Sequence, residues 1–588
     1  MTSAPDPPPA FEDSRRLTGA NRYFPGPAVV LVPLGPAAND GAAHGRWMAQ
    51  VLSLCALLGW PVPLPRVHAH KTGVMLSFAA PADLLFTATE VNEWAWERAA
   101  AGHPAHAHAG FVLTQPSQEH PAPWFGQRAS AERSGPCARL TTSAEVQGLP
   151  WMVDDDTLSI GEGSGSVSFA RAALPLPMDV PWPRLHAVPK VLVTGSNGKT
   201  TTTRLLAAMA HAAGLRPGLC STEGVWVDGQ CVAEGDYAGP AGARLVLRHA
   251  QVTAAILETA RGGILRRGLA VQQADAALVT NISADHLGEE GIDNVDDIAL
   301  AKLAVAHALT PHEPEGETTQ PGTLVLNGAD ETLLRAAVRL PHVTQARWAV
   351  FARDHDAPLL AALRQRGLAT CGVRQGQLLL HQDDQEHDLG AVAEMPLTLG
   401  GAAAYNIENL AAAALTAAVM GWPLPAVRLV LRRFGAQPQD NPGRLQRFKY
   451  HGADVLLDYA HNPDGLAQLL SVARALKPTR LGLLLGQAGN RADGAIAQLA
   501  ATAAGFSPDR VVIKELPQML RGRLPGEVPA LLQQGLLGAG LLPSQVQQVA
   551  DEASAAHTLL DWAGPGDLVV LPVHTAAVRQ QLMALFTA

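Results

Sequence analysis

Cysteine is scarce and scattered. Cys55, Cys137, Cys220, Cys231 and Cys371 are odd in number and form no Cys-x-x-Cys pair, which argues against a disulfide framework and against a zinc ribbon. Long apolar runs are missing too: no stretch approaches the roughly 20 uninterrupted apolar residues that a membrane span requires. Residues 1–10 contain four prolines and lack the basic-then-apolar layout of a signal peptide. There is no excess of positive charge. The formal net charge is -9, so neither nucleic acid nor a membrane is expected as a partner. A reducing cytoplasm is the expected home. The rest is ordinary for a folded chain, 47% hydrophobic and 16% charged over 588 residues, long enough for roughly two to four domains.

Three blocks separate along the chain. Residues 1–185 carry a strand-like run (Ala28 to Leu34), a helix from His44 to Leu58 and a His/Ala/Gly-rich stretch from Ala99 to Gly110. They are read as an N-terminal α/β or α+β domain. Alternating proline and apolar residues from Leu174 to Pro183 remove donors and disfavour helix, which predicts an extended connector. In residues 186–440, apolar strands (Val191–Val193, Ala254–Leu257, Ala276–Thr280, Thr323–Leu326) alternate with helical segments (Thr200–Ala213, Asp296–Ala308, Asn406–Met420). That alternation predicts a parallel sheet covered on both faces. Residues 441–588 repeat the pattern, with strands at Val455–Leu457, Leu481–Leu485, Val511–Ile513 and Leu568–Leu571 and a helix at Gly465–Leu476. The fold class is therefore multidomain α/β.

The sharpest local signal is Gly195-Ser196-Asn197-Gly198-Lys199-Thr200 between a strand and a helix. Glycines let backbone amides approach a phosphate, and the helix N-terminus adds partial positive charge. Lys199 suits the β- and γ-phosphates and the Thr200 hydroxyl suits magnesium. The longer phosphate-loop pattern has a further glycine where Val193 stands here.

The run Thr194 to Thr202 resembles the ATP-binding loop of the Mur ligase superfamily, and the resemblance continues in order. Glu258-Thr-Ala-Arg-Gly-Gly263, Asn281-Ile-Ser-Ala-Asp-His286, Lys302, Asn327-Gly-Ala-Asp330 and Tyr405-Asn406 with Asn409 are followed by Pro442-Gly-Arg444 and Asp458-Tyr-Ala-His-Asn-Pro463. Glu258 to Leu269, Ser221 to Gly229, Gly239-Pro240, Lys514-Glu515 and Arg521-Gly-Arg523 look like the C-terminal ligase module of the cyanophycin synthetase family, and Arg15 to Phe24 weakly resembles that family's N-terminal domain. In that family an ATP-grasp domain stands between those two parts; here the proline-rich segment joins them, so a complete polymer-making enzyme is not expected.

The resemblance implies a central P-loop ATPase domain, a C-terminal Rossmann-like domain, and an ATP-dependent ligase that joins an amine or amino acid to a small or peptidyl carboxylate. It implies ATP and two Mg2+ as cofactors, held by Thr200, Glu258, His286 and Lys302, the lysine often carbamylated. Gly195, Ser196, Asn197, Gly198, Lys199, Thr200, Thr201, Asn406, Arg444 and Asp458 would bind nucleotide, with Lys199, Glu258, His286, Lys302 and Arg444 catalytic. Arg261 and Gly262, where an arginine fork precedes glycines that permit close approach, and His461 and Asn462 would face the substrates. His461 is read as a positioning residue rather than a base. A separate ATP-grasp ligase is a candidate partner, and a homo-oligomer is expected.

Two alternatives stay open: a cyanophycin-type ligase acting on arginine or β-aspartyl-arginine units, and an inactive nucleotide-binding scaffold. Taken singly, Glu258 reads as a surface carboxylate and Lys302 as a solvated lysine; their ordered company argues otherwise. Arg266-Arg267 fits an anionic substrate or a solvated face equally. The histidines of the first block (His44, His68, His70, His103, His106, His108) sit at a helix start or in loop-like, alanine-rich settings, which speaks against a metal site there.

Overall fold

A computed structural model describes residues 10–101, 103, 120–309 and 322–587. Most of the His/Ala/Gly-rich stretch, including His106 and His108, lies outside them. The described part of the first block opens with a four-stranded antiparallel sheet. Its strands run in the order Phe11–Leu17, Ala28–Pro33, Gly73–Ala79 and Arg66–His70. Helices Gly41–Leu57 and Leu85–Ala101 pack on it around buried Trp47 and Trp96. The indole of Trp47 donates to Asn92 Oδ1 at 2.9 Å and that of Trp96 to Ala10 O at 2.8 Å, so both buried indole N–H groups are paired.

The proline-rich segment is not the extended connector that its composition predicts. It forms short 3-10 turns at Pro177–Asp179 and Trp182–Arg184. Its Val180 and Leu185 are buried beside Leu140, Leu158 and Ile160. Proline removed donors as expected, but the apolar residues between the prolines found a surface to cover. That surface belongs to a three-stranded sheet (Trp151–Val153, Thr157–Ile160, Val167–Ala170) and to the helix Gly135–Val146 beside it. Glu162, beyond its second strand, meets Lys190 Nζ at 2.5 Å, with side chains 3% and 5% exposed. Burial raises the Glu162 carboxyl from its usual range against the pull of Lys190. Replacing Lys190 with methionine leaves that carboxylate buried without its cation. The expected cost is about 3–5 kcal/mol, read as a lower urea midpoint.

The central sheet has eleven strands. Seven of them are parallel: Pro217–Ser221, Ala254–Glu258, Lys190–Thr194, Ala276–Val279, Thr323–Asn327, Arg347–Asp354 and Thr370–Arg374, in that spatial order. The edges depart from the all-parallel expectation. Gly224–Val227 and Gln230–Glu234 extend one side antiparallel, and Gln377–Gln382 and Gln385–Ala391 the other. The cause is local. Asp228-Gly229, Gln375-Gly376 and Asp383-Asp384 are two-residue connections with positive φ at both positions, the conformation that folds a strand back on its neighbour. The alanine-rich helix Ala404–Val419 and the helix Lys199–Ala212 cover one face.

The third sheet has six strands in the order Gln446–Tyr450, Ala453–Asp458, Leu568–Pro572, Leu481–Leu485, Arg510–Lys514 and Val546–Val549, antiparallel only at the first pair. Among the described residues no helix is long and apolar enough to cross a membrane. The strands Ala254–Glu258, Lys190–Thr194 and Ala276–Val279 are parallel neighbours, so their C-terminal ends bring Glu258, the glycine loop and Asn281 to one edge. In open α/β sheets that crevice is where ligands bind.

Candidate active site

The glycine loop is held by hydrogen bonds to the end of the neighbouring strand. Ser196 N donates to Asn281 O at 2.8 Å and Asn197 N to Asn281 Oδ1 at 2.9 Å. Thr280 Oγ1 donates to Asn197 O at 2.6 Å. A Cβ on Gly195 would stand 1.8 Å from Thr280 Oγ1, and one on Gly198 2.3 Å from Asn409 Oδ1; both glycines have positive φ. No other residue type fits either position. Val193, where the longer motif has glycine, is a fully buried strand residue, so the turn begins one step later.

Lys199 opens the helix and folds back, its Nζ donating to Gly195 O at 3.0 Å and Ser196 O at 2.9 Å. Burial lowers its pKa, opposed by the negative charges of Glu258 and Asp285. Lys302 Nζ approaches from the other side and donates to Gly195 O at 2.6 Å. Burial pushes its amine well below the lysine range, and the charge of Lys199 adds to the effect. Glu258 is 1% exposed. Its Oε2 accepts from Thr200 Oγ1 at 3.0 Å, while Oε1 is buried and has no hydrogen-bond partner among the described residues. Burial raises its pKa, and Lys199 and Arg444 counter that rise.

Two cavities meet at this loop. The first is lined by the loop from Ser196 to Thr201, with Glu258, Asn406, Arg444 and Asp458. The second is lined by Arg261, Gly262, His286, Glu289, Lys302 and Arg491, among others. Ser196, Lys199, Thr222, Tyr459 and His461 line both. Lys199 therefore stands at the junction.

The third sheet contributes to both cavities. Arg444 Nη2 donates to Thr222 Oγ1 at 3.3 Å, and its guanidinium carbon lies 4.3 Å above the Tyr459 ring. Asn441 Nδ2 donates to Thr201 Oγ1 at 3.2 Å. The loop residue Asn197 reaches across as well: Asn462 Nδ2 donates to its Oδ1 at 3.0 Å, and its Nδ2 donates to Asp464 Oδ2 at 2.8 Å. Asp458 accepts from Leu445 N and Ala460 N, both at 2.7 Å. Asn406 is 1% exposed, with its amide engaged by Leu397 O and Asn409 Nδ2, both at 3.0 Å.

In the second cavity Arg261 is 8% exposed. It donates to His286 O at 2.7 Å and faces Glu289 Oε2 at 3.3 Å. His286, with φ 55, lies on this side and does not line the first cavity with Thr200 and Glu258. Its Nδ1 meets Glu289 Oε2 at 2.8 Å and its Nε2 meets Arg491 Nη2 at 2.9 Å. Among the described residues no three or more His, Cys, Asp and Glu side chains group in a way that could hold a metal ion by themselves. His461 Nε2 lies 3.7 Å from Asp285 Oδ2. Asp285 also meets Arg491 at 3.0 Å. Burial raises the Asp285 carboxyl, but nearby His461, His286 and Arg491 outweigh it and leave it well below the usual range. Arg266 pairs with Glu290 at 2.8 Å.

Sequence reasoning passed over Asn441, Asp464, Glu289 and Arg491, and gave Thr222, inside the quoted run from Ser221 to Gly229, no role. Each lies in a loop or at a helix start with no periodic signal, and the contacts of Thr222 with Arg444, Asn441 with Thr201, Asp464 with Asn197, Glu289 with Asn490 and Arg491 with His286 form only where the central and C-terminal blocks meet.

The Mur ligase middle domain matches residues 193–417, and the Mur ligase, glutamate ligase domain matches residues 443–572. The cyanophycin synthetase of Trichormus variabilis is 34% identical over 398 residues, which is 67% of this chain and 42% of that one. That of Synechocystis sp. is 34% identical over 386 residues, 65% of this chain and 42% of that one. The chain thus spans less than half the length of these curated relatives. Among solved structures, E. coli FolC in complex with ADP, without folate substrate, aligns over 68% of this chain and 89% of that one, at 19% identity and a TM-score of 0.49.

Proposed function

We propose, starting from the membership of this chain in the Mur ligase family that its two matched domains establish, that it is an ATP-dependent ligase joining a carboxylate to an amine. The observation that carries the reading is the junction of two cavities at Lys199: nucleotide on one side, acid and amine on the other, with one cation at the point of transfer.

The chemistry follows from the residues. A carboxylate resists amines until it is phosphorylated. Its oxygen attacks the γ-phosphorus of ATP, the bond to the bridging oxygen breaks, and ADP leaves an acyl phosphate. The amine then attacks the acyl carbon, phosphate departs, and the amine proton is lost to solvent or a nearby base. Charge concentrates on the γ-phosphoryl during the first step, and Lys199 and Arg444 are the cations placed to meet it. Gly195 to Thr201, Asn406 and Asp458 form the nucleotide walls.

The buried Glu258 Oε1 without a partner, beside the Thr200 hydroxyl, fits a hard divalent cation, which accepts oxygen ligands and keeps several waters. Thr200 and Glu258 would hold it, and His286 would reach a second ion only by leaving Arg491 or Glu289. Bound there, magnesium would neutralise phosphate charge. Burial and the charge of Lys199 push the Lys302 amine toward the neutral form that carbamylation by carbon dioxide requires; the carbamate would make it an anion beside the loop.

Arg261, Gly262, His461 and Asn462 line or border the acid and amine side. Arg261 holds the backbone at His286, and its guanidinium face toward the cavity orients the acid. Closing the two sheets around the loop excludes water from the acyl phosphate and fixes the reactants together, an effect worth about 7–11 kcal/mol in well-oriented systems. Asp236 on the second cavity wall favours a cationic amine, which keeps arginine or β-aspartyl-arginine units as the narrower reading. A separate ATP-grasp ligase would supply the acid in that case.

The test is amine-dependent ADP release from a panel of acids and amines. Turnover with a matched pair is the expected result, and no turnover with any pair favours an inactive scaffold. With the active pair found, Arg261→Ala should raise the KM of the acid about tenfold to a hundredfold, as loss of a positioning cation does. The KM of ATP should change little; equal effects on both would remove the role given to Arg261.

A further inference from the structure

The N-terminal sheet holds both walls of the second cavity. Its first strand, Phe11–Leu17, leads into a turn that lies on the end of helix Arg261–Arg267. Thr18 N donates to Arg267 O at 2.7 Å, and Leu269 N donates to Ala20 O at 2.8 Å. The approach is closest at Gly19, where a Cβ would stand 2.2 Å from Leu269 O. Asn21, 1% exposed, stiffens the turn: its Oδ1 accepts from Tyr23 N at 2.9 Å and Phe24 N at 3.0 Å.

The opposite wall is the irregular stretch from Asp285 to Asn294, between the strand Ala276–Val279 and the helix Val295–Leu303, together with the first turn of that helix to Asp297. Arg22 grips its far end, with Nη2 2.5 Å from Asp297 Oδ1 and Nη1 donating to Gly291 O at 3.2 Å. Lys71 N donates to Asp293 Oδ2 at 2.7 Å. Arg15 lies 2.7 Å from Glu290 Oε2, whose other oxygen accepts from Arg266 on the facing helix at 2.8 Å. The Arg15–Glu290 and Arg22–Asp297 side chains are only 10% to 18% exposed, so solvent screens these pairs less than ordinary surface pairs.

The inner side of the same segment carries the cavity groups. Glu289 meets Arg261 and also accepts from Asn490 Nδ2 at 2.8 Å, while Asp285 meets Arg491 at 3.0 Å. His286 and Glu290 have positive φ. A segment of this kind has no strand ladder to fix its shape, so side-chain anchors on its two sides decide it.

We propose that the N-terminal domain positions the second cavity. Arg15 and Arg22 hold the segment from Asp285 to Asp297 at the distance from helix Arg261–Arg267 at which Glu289 and Asp285 meet Asn490 and Arg491, in the loop that follows the strand Leu481–Leu485. Both arginines are positioning residues, since they act through Glu290, Gly291 and Asp297 and touch no reacting atom. The proposal rests on the reading of the second cavity as the acid and amine site.

Three variants of the full chain test it. Gly19→Ala disturbs docking alone, because Gly19 has an ordinary φ and its Cβ would collide only with the neighbouring domain. Arg22→Ala removes the grip on Asp297, and Arg22→Lys restores a cation there. Hydrogen exchange is read peptide by peptide, then the KM of acid, amine and ATP. In Gly19→Ala and Arg22→Ala, exchange should rise about tenfold over residues 285–297 and stay unchanged over residues 195–212. The KM of acid or amine should rise about tenfold to a hundredfold with ATP little affected, and Arg22→Lys should recover most of both effects. Unchanged protection over 285–297 overturns the proposal. So does loss of protection throughout the chain, which marks a merely structural role. The exchange readout needs no turnover, so an inactive wild type counts against the ligase reading and leaves this result decisive.

Discussion

Lys199→Ala is expected to lower amine-dependent ADP release by about 10²–10³-fold, the size seen when one preorganised donor to a developing charge is removed. The fold should not weaken. Lys199 is the first residue of its helix, and no acidic residue stands in that first turn. A cation at a helix N-terminus opposes the macrodipole, by about 0.3–1 kcal/mol, so alanine relieves a local conflict as it removes two hydrogen bonds to loop carbonyls. A residue that breaks a local rule without helping stability is what a functional position looks like. The urea midpoint and initial rates together decide the matter. Activity lost at an unchanged or higher midpoint supports the assignment; unchanged ADP release would sink it.

The second large effect is expected at Arg444. It belongs to the segment entering the third sheet, yet it touches Thr222 of the central domain and lies over Tyr459. Its Nε is buried without a hydrogen-bond partner and lies 3.7 Å from Glu223 Oε1. A guanidinium placed in this way can meet a phosphate only when the two sheets are together. Arg444→Ala should reduce kcat about 10²-fold, with the KM of ATP raised less. Arg444→Lys should recover only a small part, because an ammonium neither stacks on Tyr459 nor presents a planar fork. A lysine variant as active as wild type would show that charge alone matters and that the stacked geometry does not.

These two residues divide what could be read early from what could not. The strand and helix around Lys199 follow from an apolar run, a glycine turn and a helical pattern within a span of about 20 residues. The structure places the strand at Lys190–Thr194 and the helix at Lys199–Ala212, within a residue or two of the reading. The alternation farther along predicted parallel strands at Ala254, Ala276 and Thr323, and these lie at the centre of the sheet. The antiparallel edges escaped because they depend on two-residue turns, where single positions outweigh any period. The proline-rich segment was misjudged because composition reports donors and stiffness and not what an apolar side chain will find to cover.

By itself, then, the sequence indicated the alternating strands and helices of the central and C-terminal blocks, the glycine loop and the ordered motifs that resemble those of the Mur ligases, because each is written in neighbours along the chain. Only the tertiary structure decided that Lys199 joins two cavities, that His286 stands with Glu289 and Arg491 on the side away from Glu258, and that Arg15 and Arg22 reach the segment that carries it. Those contacts link residues more than 200 positions apart in the cases of Arg491 with His286 and Arg15 with Glu290. Such pairs leave no local pattern, since the distance that matters between them is set by how separately folded sheets pack.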